Sequence, residues 1–198
     1  MNTLDKVNVS VFQQPKKGNY HCGDSYFYME TENEFVCALA DGLGSGEVAK
    51  ESSQIVIDII RDNIHATVEQ LVKLCNTKLS GKRGAVVGIL KLDFVSGLYS
   101  FSSIGNIGVM TIKESQKRKR TIPNAGYLGG YQRSFKIMQE KLEPNMNFIM
   151  FSDGVSDKDL SKKYWNNHDV YTITKTFEHI SDDIRTDDTT LIAIRYKE

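Results

Sequence analysis

The apolar runs of this chain come in an order that a doubly wound parallel sheet does not use. Alternation in "VNVSVFQQ" predicts a first strand, and "SYFYMET" and "EFVCALA", separated by the polar turn "ENE", predict a hairpin. Two helical periodicities follow, over roughly 46–63 and 66–79. Then "AVVGILKLDF", "GLYSFSSIG" and "IGVMTIKE" read as three successive strands, turning at Val95-Ser96-Gly97 and at Gly105-Asn106. "RSFKIMQEKL" and "NFIMFSD" read as two more, turning at Pro144-Asn145. Short helices are expected near 157–165, packing Tyr164 and Trp165 on the core, and near 169–180, before a last strand "TTLIAIRYK". Strands, helices, a strand meander, helices and a strand fit an α+β protein of mostly antiparallel sheets with helices packed outside. With 198 residues, no repeats and no compositional break, residues 1–198 read as one domain with a substantial core.

Four of these strands have an acid at their mouth. "EFVCALA" runs into Asp41 and Gly42, and "NFIMFSDGVSD" repeats the device with Asp153 and Gly154. Asp24 stands directly before an aromatic-rich strand, and Asp187 and Asp188 stand directly before the last one. One Asp-Gly pair is ordinary turn chemistry. A recurrent acid at strand ends is different, because strand ends are rigid places for functional groups and antiparallel strands bring such ends together. Clustered carboxylates with no Lys or Arg in the motifs repel one another unless a cation lies between them. Oxygen ligands without His or Cys point to Mg²⁺ or Mn²⁺.

The bulk numbers exclude several classes. Lys+Arg equals Asp+Glu at 25 each, so no global field recruits nucleic acid or a membrane. Cys22, Cys37 and Cys75 are odd in number and lack CxxC spacing, as in a reduced cytoplasmic protein without a zinc cluster. "MNTLDKVNVSVFQQ" lacks a signal-peptide profile, and no stretch is apolar for long enough to span a bilayer.

"GDSYFY", "ADGLGSG", "FSDGVSD" and "DDTTLIAIR" together resemble the ordered signatures of the metal-dependent (type 2C) serine/threonine protein phosphatases, from about residue 20 to the end. The short chain and the wording "ADGLGSGEVA" are most similar to the bacterial stress-response phosphoserine phosphatases of that family. The resemblance implies an α-β-β-α sandwich with two Mn²⁺ or Mg²⁺ ions at one end. By position, Asp41 would bridge the ions and Gly42 would offer its carbonyl. Asp153 and Asp187 would complete one ion's shell, Asp24 would hold the other largely through waters, and Asp188 would stand behind them. A metal-activated water would attack phosphorus, with no phosphoenzyme. Implied too are a cytoplasmic monomer and a substrate phosphorylated on Ser or Thr, a STAS-domain regulatory protein of a stressosome, in feedback control of sigma-B-type signalling.

The chain departs from the larger members at two points. Leu43 stands where they commonly carry His, and "QQPKKGNYHCGD" lacks their upstream Arg. Lys16 or Lys17 is left to grip phosphate and His21 to protonate the leaving group. The basic run "KESQKRKR" reads as a solvated hairpin tip, with a docking patch for an acidic phosphoprotein as the alternative. "NAGYLGGY" lacks the GK[ST] ending of a nucleotide loop and reads as a plain loop, or a flap beside the site. A haloacid-dehalogenase-type phosphatase would need a second Asp where Leu43 stands and a parallel sheet. A catalytically inactive phosphatase-like binding module would be expected to have lost metal carboxylates, and none is lost here.

Overall fold

The computed structural model describes residues 6–115, 117–132, 134–161, 164–166, 169–180 and 186–198. Among the described residues, ten strands form two five-stranded sheets. The first, in the order β1-β10-β9-β6-β7, contains β1 (Val7–Gln14), β10 (Thr189–Tyr196), β9 (Asn147–Phe151), β6 (Gly108–Ile112) and β7 (Arg118–Arg120). The second, in the order β2-β3-β4-β5-β8, contains β2 (Asp24–Glu30), β3 (Glu34–Gly42), β4 (Ala85–Asp93), β5 (Leu98–Ile104) and β8 (Met138–Lys141). Every pairing between these strands is antiparallel.

The sheets face each other across Phe35, Leu39, Leu90, Phe101, Phe148, Met150 and Ile192, all buried. Helices α1 (Gly46–Asp62) and α2 (Val68–Lys78) cover the outer face of the second sheet. Their apolar stripes (Val56, Ile60, Leu71, Val72 and Cys75) pack on Val36, Ala38, Val87 and Ile89. A capping box closes the start of α2, Thr67 and Gln70 each accepting the other's backbone N–H. Helix α4 (Val170–Ile180) covers the first sheet, where Ile173, Phe177 and the buried Trp165 meet Ile149, Leu191 and Ala193. The α-β-β-α sandwich expected from the sequence is the observed fold.

The connections differ from the expected meander. The turn at 95–97 does join paired strands, β4 and β5. At Gly105-Asn106, however, the chain leaves the second sheet for β6 in the first, and at Pro144-Asn145 it passes from β8 to β9 in the same direction. Turn residues specify a reversal but not the edge that the next strand meets. That choice follows from burial: Ile107 is fully buried between the sheets, and β6 is buried along its whole length between β9 and β7.

Two expected elements are also shorter or divided, and one expected loop tip is partly strand. Of the run 133–142 only Met138–Lys141 forms a strand, and residue 133 lies outside the described residues. The expected helix at 157–165 is α3 (Asp157–Leu160) followed by a 3-10 turn (Tyr164–Asn166), with 162–163 outside the described residues. The basic run is more than a loop tip. Arg118–Arg120 form β7, Lys119 ion-pairs with Glu140 of β8, Lys113 with Glu143 (2.5 Å) and Arg120 with Asp157 (2.5 Å), while residue 116 lies outside the described residues. The described residues contain no helix long and apolar enough to cross a membrane.

Candidate functional site

The aspartates of the strand ends meet at one end of the sandwich. In the second sheet, the register of the β2–β3 hairpin sets Asp24 directly opposite Asp41. In the first, β9 leads into Ser152 and Asp153 beside the start of β10, which Asp187 and Asp188 precede. Two hydrogen bonds fix the end of β9 to the start of β10, and a third joins the first sheet to the second. The Ser152 N–H donates to the Thr190 carbonyl (3.0 Å), the Thr190 N–H donates to Ser152 Oγ (2.9 Å), and the Thr190 hydroxyl bonds to Asp24 Oδ2 (2.7 Å). Asp188 has both carboxylate oxygens occupied, Oδ1 by the Lys16 N–H and Oδ2 by the Gly23 N–H, each at 2.8 Å. It therefore ties the 15–23 segment, and with it the entry to Asp24, to the start of β10. Asp153 Oδ2 accepts from Asn106 Nδ2 (2.6 Å), and Asp187 Oδ1 from the Asp188 N–H (2.9 Å).

This crowding is costly for ionised acids. Burial, with the charges of Asp24, Asp153, Asp187 and Asp188 added to it, pushes Asp41 up to about 8. Burial also lifts Asp24 to about 6, against hydrogen bonds from Thr190 and Ser152 and with help from Asp188 and Asp153. Asp153 is raised by burial and then by Asp187. Among the described residues, no three His, Cys, Asp or Glu side chains already form a group that would hold one ion as they stand. The donor chemistry nevertheless fits a hard divalent cation. Asp24 is buried, and no donor among the described residues reaches its Oδ1. A buried, unpartnered carboxylate oxygen on a residue set opposite the half-buried Asp41 is an arrangement that a cation would satisfy.

The comparisons with known proteins agree with that chemistry. The chain is 31% identical over 188 residues to the phosphoserine phosphatase RsbX of Bacillus subtilis, covering 95% of this chain and 94% of that protein. The chain belongs to the PP2C-type phosphatase family. A crystal structure of RsbX in complex with magnesium superposes with a TM-score of 0.86 at 32% identity, covering 96% of this chain and 94% of that one. The catalytic domain of the serine/threonine phosphatase PstP, solved with two manganese ions, shares the fold at 13% identity (TM-score 0.78, 97% and 99% covered). So does a chain solved in connection with the bacterial stressosome, at 22% identity (TM-score 0.81, 96% and 100% covered). No protein-family model matches the chain.

Within this family member the glycine after Asp41 has a packing reason of its own. A Cβ on Gly42 would lie 1.8 Å from the Ala49 carbonyl oxygen, so a glycine is needed for α1 to start this close to β3. His21 is exposed on the segment leading into Asp24, and Lys16 and Lys17 are exposed on the same segment. Lys50 of α1 reaches the site by donating to the Asp24 carbonyl (2.9 Å). Asn106, Ser152, Thr190 and Lys50 were not among the residues singled out from sequence. Asn106 carried only a turn signal there, and the other three became visible once the sheets were registered against each other.

Proposed function

We propose that this chain is a Mn²⁺- or Mg²⁺-dependent phosphatase hydrolysing phosphoserine or phosphothreonine on a STAS-domain regulatory protein of the stressosome type, as a feedback, negative regulator of sigma-B-type signalling. We propose further that it acts in the cytoplasm as a monomer and as one domain. The observation that carries the activity is the buried Asp24 with a bare Oδ1 opposite Asp41, in a group of aspartates of which Asp24, Asp41 and Asp153 are held above their usual range by burial and neighbouring charge. Its likeness to a phosphoserine phosphatase over 95% of the chain supports the substrate class.

In this reading Asp41, Asp153 and Asp187 bind metal directly with the Gly42 carbonyl, and Asp24 holds a second ion. Asp188, its oxygens already taken by two amides, orients the 15–23 segment from behind. Bound there, the ions would supply charge neutralisation and the Lewis acidity that makes water nucleophilic at neutral pH. The chain's own part is to hold the acids rigidly on two sheets, to set Asp153 by the Asn106 amide, and to donate a proton from the exposed His21 to the departing serine or threonine oxygen.

The test is hydrolysis of an aryl phosphate and of a phosphoserine peptide with added Mn²⁺, after exhaustive chelation, and after Mn²⁺ is returned. Activity should vanish with EDTA and come back with the metal. Turnover that survives complete chelation would refute the proposal.

A further inference from the structure

Acids dominate the site, yet a phosphate dianion needs a cationic grip, and the side chain placed to supply one stands on an element that no motif marks. We infer that Arg83, in the connection between α2 and β4, binds the phosphoryl oxygens of the substrate. The inference rests on the phosphatase reading and adds a residue to it.

The placement is rigid on both sides. Gly42 pairs with Ala85 at the end of the β3–β4 ladder, and one step further the Leu43 N–H donates to the Gly84 carbonyl (3.0 Å). Arg83 is thereby stitched to the loop that follows Asp41. On its other flank the Ala85 N–H donates to the Leu128 carbonyl (3.0 Å), and the Leu128 N–H returns a bond to the Ala85 carbonyl (2.8 Å). Leu128 is fully buried, and its loop is held in turn by Asn76 of α2, whose Oδ1 accepts from the Gly129 and Gly130 N–H groups and whose Nδ2 donates to the Tyr131 carbonyl (2.8 Å). The segment 124–131 is thus a fastened wall against 83–85.

The guanidinium lies beside Gly44, three residues after Asp41. A Cβ built on Gly44 would stand 3.1 Å from Arg83 Nη1, and Gly44 has φ +111°, so glycine both permits the turn and leaves that space to the arginine. Among the described residues Arg83 has no ion pair, and it is exposed. The other cations are differently engaged or anchored. Lys50 Nζ is bonded to the Asp24 carbonyl, and Lys16 and Lys17 hang from the segment tied to Asp188 across the site. An unpaired guanidinium offers the planar fork that fits a phosphate better than a lysine does.

The test uses the Mn²⁺-loaded full chain with an aryl phosphate as substrate and inorganic phosphate as competitive inhibitor, comparing wild type, Arg83→Ala and Arg83→Lys. Removing a charge-assisted contact should weaken phosphate inhibition and lower kcat/KM by roughly ten- to a hundredfold in Arg83→Ala, with partial rescue in Arg83→Lys. The Mn²⁺ concentration for half-activity and the Tm should stay at wild-type values, since Arg83 is exposed and is no ligand. An active wild type whose Arg83→Ala variant keeps its phosphate Ki within twofold would overturn the assignment. So would an equal loss that tracks weakened Mn²⁺ binding. A wild type inactive with metal on every phosphate ester would instead overturn the phosphatase reading beneath it.

Discussion

Replacing Asp41 by Asn should stabilise the protein without metal while destroying its response to metal. Asp41 titrates at about 8 in the folded chain against an ordinary 3.8, because of burial and then of the charges of Asp24, Asp153, Asp187 and Asp188. The raised value fixes the sign: the folded state holds this proton more tightly than the unfolded one. The contribution to stability is complete below 3.8 and is lost as pH rises through 8. At pH 7 the loss spans about three pH units, or roughly 4 kcal/mol as a ceiling at ~1.4 kcal/mol per unit. The exposed flank of Asp41 is screened by solvent, so about 2 kcal/mol is the realistic gain for the neutral amide. Urea denaturation in EDTA at pH 8 should show it, and the difference should shrink as the pH approaches 4. Saturating Mn²⁺ should raise the Tm of the wild type and leave that of Asp41→Asn nearly unchanged, since binding to the folded state alone stabilises it. Equal stabilities in EDTA at pH 8, with equal Mn²⁺ shifts, would refute the idea of an electrostatically strained acid cluster.

His21→Ala should lower kcat on a phosphoserine peptide by about a hundredfold and hardly touch an aryl phosphate, whose leaving group needs little protonation. Equal loss on both substrates removes His21 from proton transfer. The combined Lys119→Ser, Arg120→Ser variant loses two exposed ion pairs, with Glu140 and Asp157, and should cost roughly 0–1 kcal/mol per pair by denaturation. Its aryl-phosphate turnover should match wild type; a tenfold fall would mean that β7 shapes the site.

The acids and the general architecture were legible in the residues because both rest on local pattern. A strand that must bury both faces reads as an apolar run, and an acid ending such a run stands out against it, as Asp41 does after "EFVCALA" and Asp153 after "NFIMF". Helices α1 and α2 were both legible from their apolar period. Residues without such contrast were not. Asn106 reads as half of a turn, Thr190 as one more β-branched strand residue and Arg83 as one charge in a loop, until pairing sets them beside Asp153, Asp24 and Gly44.

The sequence by itself determined where the apolar strands lie, though not β7 in the basic run or the short extent of β8, and that several carboxylates stand at strand mouths, since each follows from side-chain period and polarity within a dozen residues. Only the tertiary structure decided that β5 and β6 part into different sheets and that β7 and β8 form adjoining edges of the two sheets, joined by Lys119 and Glu140. It also decided that Asp24 faces Asp41 with one oxygen left bare. These outcomes depend on burying Ile107 between the sheets and both faces of β6, Val109 toward the second sheet and Met110 and Ile112 toward α4, and on contacts more than a hundred residues apart, such as Thr190 to Asp24. Local periodicity carries no information about which distant edge a strand will meet; the burial of the shared core selects it.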